Sequence, residues 1–424
     1  MRRGGDPSRL RRLNSTDVLA ALYAQGPRTL TEVSAVTGLS RPTVEDVVED
    51  FVRDRIVREL PPEPGGTGRP ARRFRFGADE GFVAGIDIGV HKILVILADL
   101  EGEVREVRRA TVDPDLGRAE RLAVARTTLT RCLEDSGVVP SRLRAIGVGT
   151  PGVVHDGAVT LCTVLPDWTG FDLGRALLTE APIAGGNAVT DASIAVRHAA
   201  ADAPIADGSA VPVTDALVAR RGAVPVVVEA VPVVVENDAN LATIAEHWRG
   251  AARDVQDAVC VLAGNRVAAG VLIGGRLHRG HRGGAGELGL LRALRWEEAP
   301  DRLLAACPGN GDLAAVFAAA RSGDARATAA VDGFTDDLAT GTAALLLAVD
   351  PAVVVVGGGL SRAGDLIAGG LRERLAALYP PPPEVRVSAL GDEAVATGAI
   401  RIALERATEN LFPDGLPVGS LPPR

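Results

Sequence analysis

Val83-Ala84-Gly85-Ile86-Asp87-Ile88-Gly89-Val90-His91-Lys92-Ile93-Leu94-Val95-Ile96-Leu97-Ala98-Asp99-Leu100-Glu101-Gly102 is the stretch that decides the fold. Two aliphatic runs flank a short turn at Gly89-Val90-His91, which reads as strand, turn, strand. Asp87 beside the glycine turn, followed by a polar tip, can hold a hydrated cation and bring backbone N–H groups to a phosphate. An ordinary glycine-bearing hairpin is the other reading of the same residues.

Further along, Val233-Val234-Val235-Glu236 reads as a strand with Pro232 tolerated just before it, and Asn237-Asp238-Ala239-Asn240 opens a helix reaching about Arg249. A carboxylate between a strand end and a helix start sits where open α/β sheets bind ligands. Asp238 is therefore either a general base toward a substrate hydroxyl or an ordinary helix N-cap. Two glycine-rich segments, Arg279 to Gly289 and Gly357-Gly358-Gly359-Leu360-Ser361 after Asp350-Pro351, read either as turns that let a nucleotide come close or as surface loops.

In their order these segments resemble the ROK family (repressor, open reading frame, kinase), in its branch with an N-terminal winged helix. Asp87 to Lys92 stands for the family's DIGGTK, Gly147-Val148-Gly149-Thr150-Pro151-Gly152 for its GVPG, and Glu236 to Asn240 for its ENDAN. Gly286-Glu287-Leu288-Gly289 stands for GEIGH, and Gly357 to Ser361 for GGGLS. The resemblance implies a two-lobe, actin-like (ribonuclease H-like) α/β domain of the sugar-kinase type over residues 82–408, a sugar between the lobes, and a homodimer or tetramer. It further implies that Asp238 takes the place of the catalytic base and that Gly152, Asn237, Asp238 and Glu287 border the sugar. Asp87, Gly89, Lys92, Gly264, Gly357 and Gly358 would be remnants of a nucleotide site.

The phosphate equipment departs from the family pattern. Gly-Thr of the first turn is Val90-His91, and GTGIGAG of the second reads Gly264-Asn265-Arg266-Val267-Ala268-Ala269-Gly270. A Cβ where backbone must touch phosphate restricts φ and fills the space of the phosphate oxygens, so ATP and magnesium are not expected as cofactors. The family's zinc motif places its His on Leu290 and its cysteines on Ala305, Cys307 and Asp312, which is no tetrahedral zinc site. No metal is expected, and Cys307 reads as a buried small hydrophobe. The motif's closing Glu, a sugar contact in the family, is Ala314. Residues from about 185 to 222, rich in Ala, Gly, Asp and Pro, read as a low-complexity surface insertion whose middle, Asp191 to Ala201, can be helical. Residues 409–424 read as a C-terminal tail.

Upstream, residues 14–78 read as a winged helix-turn-helix behind a basic tail, 1–13. Helices are expected over Ser15 to Ala24, Thr31 to Thr37 and Arg41 to Arg53, and a strand over Ile56 to Glu59. Gly26-Pro27 ends the first helix, Thr31 caps the second with Glu32 in its first turn, and Gly38-Leu39-Ser40 makes the turn. Ser40 caps the third helix, whose first turn tolerates Pro42. Leu30, Val33, Val36, Leu39, Val44, Val47, Val48 and Phe51 recur at helical spacing and form a small shared core. Ser40, Arg41 and Thr43 then meet base edges, and the glycine turn before Arg69, Arg72, Arg73, Phe74 and Phe76 reads as a basic wing. Glu45, Asp46, Glu49 and Asp50 repel phosphate wherever they face it. A three-helix module of this kind also serves as a protein-interaction element.

The 424 residues are too many for one ordinary compact domain. With 46% hydrophobic and 24% charged residues, large cores are possible. Net charge is −8, yet residues 1–76 hold 14 Arg against 10 acidic residues, a local +4 that leaves −12 for the remainder. One end of the chain is thus suited to phosphates. No apolar run of about 18 residues appears, the start lacks the apolar stretch of a signal peptide, and the four cysteines are widely spaced. A cytoplasmic protein with reduced thiols and no membrane partner is expected.

The leading functional reading is a transcriptional regulator, by family default a repressor, without enzymatic activity. It binds operator DNA as a dimer and uses the kinase-like domain for dimerisation and for sensing a sugar or sugar-derivative effector. The alternative is an ATP-dependent sugar kinase of the hexokinase or glucokinase kind, with Asp238 as base, Asp87 placing magnesium and Arg266 compensating for the lost glycines. A scaffold that binds neither leaves the Arg wing unexplained.

Overall fold

A computed structural model describes residues 7–23, 26–61, 71–179, 231–307, 313–409 and 411–412. The expected insertion at about 185–222 and wing residue Arg69 lie outside the described residues. The N-terminal module comprises α1 (Pro7–Leu22), β1 (Arg28–Thr29), α2 (Leu30–Thr37), α3 (Arg41–Arg53), β2 (Val57–Leu60) and β3 (Arg73–Phe76). Its strands pair antiparallel in the order β1-β3-β2.

Three expectations for this module are corrected. Helix α1 starts at Pro7, within the stretch expected as a tail, because proline suits a first helical turn and arginine is a good helix former. The cap of α2 is Thr29, not Thr31: the Thr29 hydroxyl accepts from Glu32 N–H at 3.2 Å while the Glu32 carboxylate accepts from Thr29 N–H at 2.7 Å. That reciprocal box needs a Glu three residues past the cap, which only Thr29 has. Val36, expected in the shared core, is 61% exposed, while Leu30, Val33, Val44, Val47 and Val48 are buried. Gly38 at φ 71° ends α2, and Ser40 caps α3 as expected.

The first lobe begins with the antiparallel strands β4 (Phe82–Ile88), β5 (Lys92–Asp99) and β6 (Val104–Thr111). After α4 (Arg118–Ser136), β7 (Leu143–Thr150) returns parallel to β4. A hairpin, β8 (Val153–His155) and β9 (Ala158–Leu161), and α5 (Leu173–Thr179) precede β10 (Val233–Asn237), which pairs parallel to β7. Helix α6 (Asp238–Arg249) leads to the second lobe.

The second lobe repeats the plan. Its strands β11 (Ala258–Ala263), β12 (Val267–Ile273) and β13 (Arg276–Leu277) are antiparallel. After α7 (Ala299–Ala306), α8 (Leu313–Arg321) and α9 (Ala325–Val349), β14 (Val353–Gly357) adds parallel to β11. After α10 (Gly364–Leu378), β15 (Glu384–Val387) adds parallel to β14. The sheet orders, β6-β5-β4-β7-β10 and β13-β12-β11-β14-β15, are the same arrangement twice. Helix α11 (Ala394–Thr408) then returns to the first sheet.

Glycine makes that return possible. A Cβ on Gly147 of β7 would lie 2.0 Å from the Ala399 carbonyl of α11, and one on Gly398 would lie 1.9 Å from the Leu241 carbonyl of α6. Sheet, α11 and α6 therefore meet backbone to backbone. The other end of α11 reaches the winged module: Ala403, Leu404 and Phe412 share one apolar cluster with Tyr23, Phe74, Phe76, Leu94 and Ile96. Tyr23 packs edge-on to Phe76 and Phe412 and donates its hydroxyl to the Leu100 carbonyl at 2.9 Å. Phe412, in the stretch expected as a C-terminal tail, is thus a buried tie between modules. Among the described residues no helix is long and apolar enough to cross a membrane.

Candidate functional site

Between the lobes lies a cleft of about 510 Å³. At one end β10 stops and α6 starts. The Asn237 side chain caps α6 by accepting from Asn240 N–H at 3.0 Å, which decides the question left open for Asp238. Asp238 is the first helical residue, not the cap, and its carboxylate faces the cleft. Burial first, and then the negative charges of Asp87 and Glu287, push this carboxyl up to about 7.

Asn237 also donates from Nδ2 to the Gly152 carbonyl at 3.0 Å and to Glu287 Oε1 at 3.2 Å. Gly152, the adjacent pair Asn237 and Asp238, and Glu287, from three distant parts of the sequence, therefore converge on the cleft. Gly152 is required there, because its φ is +101° and a Cβ would lie 2.3 Å from the Leu161 carbonyl. Burial raises the Glu287 carboxyl.

The other end of the cleft holds the expected nucleotide remnants. Asp87 is 4% exposed and burial raises its carboxyl, while the Lys92 ammonium at 3.2 Å opposes that rise. Lys92 also donates to the Asp392 carbonyl at 2.6 Å, and Arg109 pairs with the Asp392 carboxylate. Gly89 and Gly264 line the cleft beside the side chains of Val90, His91, Asn265 and Arg266. Gly358 must be glycine, at φ +88° with the Ala263 carbonyl 2.6 Å from a Cβ, and Gly357 precedes it at the end of β14. Among the described residues no cluster of His, Cys, Asp or Glu could hold a metal. Leu290 is 54% exposed, Cys307 is buried, and Asp312 lies outside the described residues.

Several supporting residues gave no sequence signal. Arg279 reaches from the glycine-rich loop to the buried Glu236, whose other oxygen accepts from Asn240 Nδ2 at 2.9 Å. The buried Trp168 indole holds Thr150 Oγ1 at 2.8 Å, fixing the loop that carries Gly152. Arg121, fully buried, donates to the carbonyls of Gly89 and Val90 at 2.7 and 3.0 Å. Each partner lies far along the chain.

On the winged module, Arg41 is exposed at the start of α3. Ser40 is occupied as the cap, 2.8 Å from the Thr43 hydroxyl, so both present a shared hydroxyl pair rather than free groups. Two wing arginines are engaged within the module. Arg72 grips Glu59 through two 2.8 Å bonds and lies over the Phe74 ring, and Arg73 donates to the Pro27 carbonyl at 3.3 Å. Of the acidic residues on α3, Asp50 is neutralised by Arg11 at 2.5 Å and Arg53 at 2.9 Å. Asp46 and Glu49 stay exposed.

A family model described as ROK family matches residues 228–313 and 299–406. A glucokinase of Thermotoga maritima is 32% identical over 232 residues, covering 46% of this chain and 71% of that protein. A xylose repressor of Caldicellulosiruptor bescii is 22% identical over 287 residues, 67% of this chain and 60% of the repressor. The solved structure of a ROK family transcriptional regulator, a homolog of the E. coli MLC protein, shares the fold. It has a TM-score of 0.66 at 17% identity and covers 96% of this chain and 98% of its own.

Proposed function

The chain belongs to the ROK family, and on that premise we propose that it is a DNA-binding transcriptional regulator, acting as a repressor. Its kinase-like domain pairs two readers as a homodimer or tetramer and holds a sugar or sugar derivative. The observation that carries this is the capped, exposed start of α3 on a winged module bound into the apolar base of the first lobe. A reader so mounted moves with the lobe. A relative named as a xylose repressor supports the same reading.

The coupling route is physical. Helix α11 starts beside the cleft, where Asp392 and Val395 line the wall, and ends against Tyr23 and Phe412 of the winged interface. At 15 residues it spans about 22 Å. Asn237 joins the Gly152 loop of one lobe to Glu287 of the other. A ligand there alters DNA affinity by favouring one lobe arrangement, and DNA alters ligand affinity by the same factor.

In this reading the domain is not an enzyme and uses neither ATP with magnesium nor zinc. Side chains of Val90, His91 and Arg266 stand where a kinase needs bare backbone. Arg41→Ala and Arg69→Ala weaken binding to operator fragments in fluorescence anisotropy; unchanged affinity in both refutes the reading surface. ATP turnover over a sugar panel that disappears in Asp238→Ala would replace the regulator with the kinase.

A further inference from the structure

We propose that Arg11 and Arg53, held side by side on Asp50, form a clamp for one phosphodiester group of the DNA backbone, at the edge of the groove that α3 reads. This deepens the proposed function and rests on its DNA-binding part.

Helices α1 and α3 meet at Asp50, where Arg11 of α1 and Arg53 of α3 share one carboxylate at 2.5 and 2.9 Å. Elsewhere in the winged module carboxylates match the arginines they hold: Arg72 has Glu59, and Arg58 has both Asp79 and Glu80. Two cations on one anion leave a net positive charge, and it is presented outward. The Arg11 and Arg53 side chains are 70% and 71% exposed, and Asp50 between them is 33% exposed. Each guanidinium uses one nitrogen on Asp50, and among the described residues no other bond engages it. A guanidinium carries five N–H donors in a planar fork, so most of them remain for an anion.

The place on α3 fits a backbone contact. Thr43, Asp46, Asp50 and Arg53 follow one another at i, i+3, i+7 and i+10 and so lie along one side of the helix, whereas Val44, Val47 and Val48 are buried. Asp50 lies about 10 Å and Arg53 about 15 Å along the axis from Thr43. The major groove is about 12 Å wide, so with Thr43 at a base edge the two forks come to the phosphates that border the groove. Asp50 repels DNA as a lone acid, but here it acts through its neighbours. It fixes two long side chains that otherwise have to be ordered on binding, which makes it a positioning residue. Arg11 and Arg53 in turn hold its carboxyl below the usual carboxylate range.

The test is fluorescence anisotropy of the full chain with a labelled duplex of genomic sequence and with a scrambled duplex of the same length, each over a series of salt concentrations. A phosphate contact is blind to base sequence. Arg11→Gln and Arg53→Gln are therefore each expected to weaken binding to both duplexes by about fivefold near physiological salt and to make the salt slope shallower by about 0.9, the loss of one phosphate. Arg53→Lys, which keeps the charge without the fork, recovers the slope but only part of the affinity. Asp50→Asn separates orientation from charge. Its affinity rises at low salt, as for any acid removed from α3, yet falls about threefold below wild type at high salt, where long-range charge is screened and orientation still counts. Arginine variants with wild-type affinity and slope overturn the clamp. So does Asp50→Asn binding at least as tightly as wild type at every salt, which makes Asp50 a plain repulsive charge. Wild type that binds neither duplex refutes the regulator and the clamp with it, whereas equal binding by wild type and all variants refutes the clamp alone.

Discussion

Asp238→Asn tests the electrostatics of the cleft directly. The wild-type carboxyl sits at about 7 in the folded chain against 3.8 unperturbed. That difference of about three units, at about 1.4 kcal/mol each, sets an upper bound of about 4 kcal/mol. Water in the open cleft reduces it to about 1–2 kcal/mol. From about pH 4 to about pH 7 the folded chain holds a proton that the unfolded chain has released, so stability falls as pH rises through that window and is level above it. The Asn variant has no proton to lose there. Urea unfolding followed by the fluorescence of Trp168, Trp248 and Trp296 should show variant and wild type drawing apart from pH 4 to pH 7, the variant more stable at pH 8. Midpoints that run parallel over the whole range would refute the burial and charge crowding assigned to Asp238.

Tyr23→Ala removes the edge contacts to Phe76 and Phe412 and the bond to Leu100, at a cost of about 3–5 kcal/mol. Scanning calorimetry should resolve a separate, earlier transition for the winged module, and one unshifted transition would contradict the docking. Gly152→Ala forces a side chain into a left-handed residue 2.3 Å from the Leu161 carbonyl and moves the carbonyl that Asn237 holds. The strain, about 1–3 kcal/mol, should appear as weaker effector binding in titration, and equal affinity would count against the loop's role. Asp46→Asn with Glu49→Gln removes two exposed negative charges from α3. Nonspecific DNA affinity by anisotropy should rise by about tenfold at low salt and converge with wild type at high salt. No change at low salt would place this face away from DNA.

Much of the fold was legible because local signals agreed with the tertiary result. Ser40, Pro42 and Gly38 mark a turn whose chemistry is local, and the aliphatic runs around Gly89 can only be buried strands in a sheet. Local signals failed where two residues could serve equally. Thr29 and Thr31 both can cap, and the position of Glu32 decides. Val36 fits the helical period yet is 61% exposed. In the site, the ENDAN-like run at Glu236 to Asn240 was readable, but which residue caps the helix was settled by geometry. The grips of Arg121 on Gly89, Arg279 on Glu236 and Lys92 on Asp392 span 32, 43 and 300 residues, and no short-range pattern encodes them. The partners of the wing arginines were hidden for the same reason: Glu59 and Pro27, which engage Arg72 and Arg73, come from other segments.

The central claim is that this chain reads DNA through α3. Fragmented genomic DNA should be captured with purified full-length protein at near-physiological salt and sequenced, beside Arg41→Ala. A palindromic motif with half-sites about one helical turn apart, or a multiple of it, should be enriched by the wild type and lost or relaxed in the variant. No enriched motif at any salt, or the same motif with equal enrichment in Arg41→Ala, would contradict it.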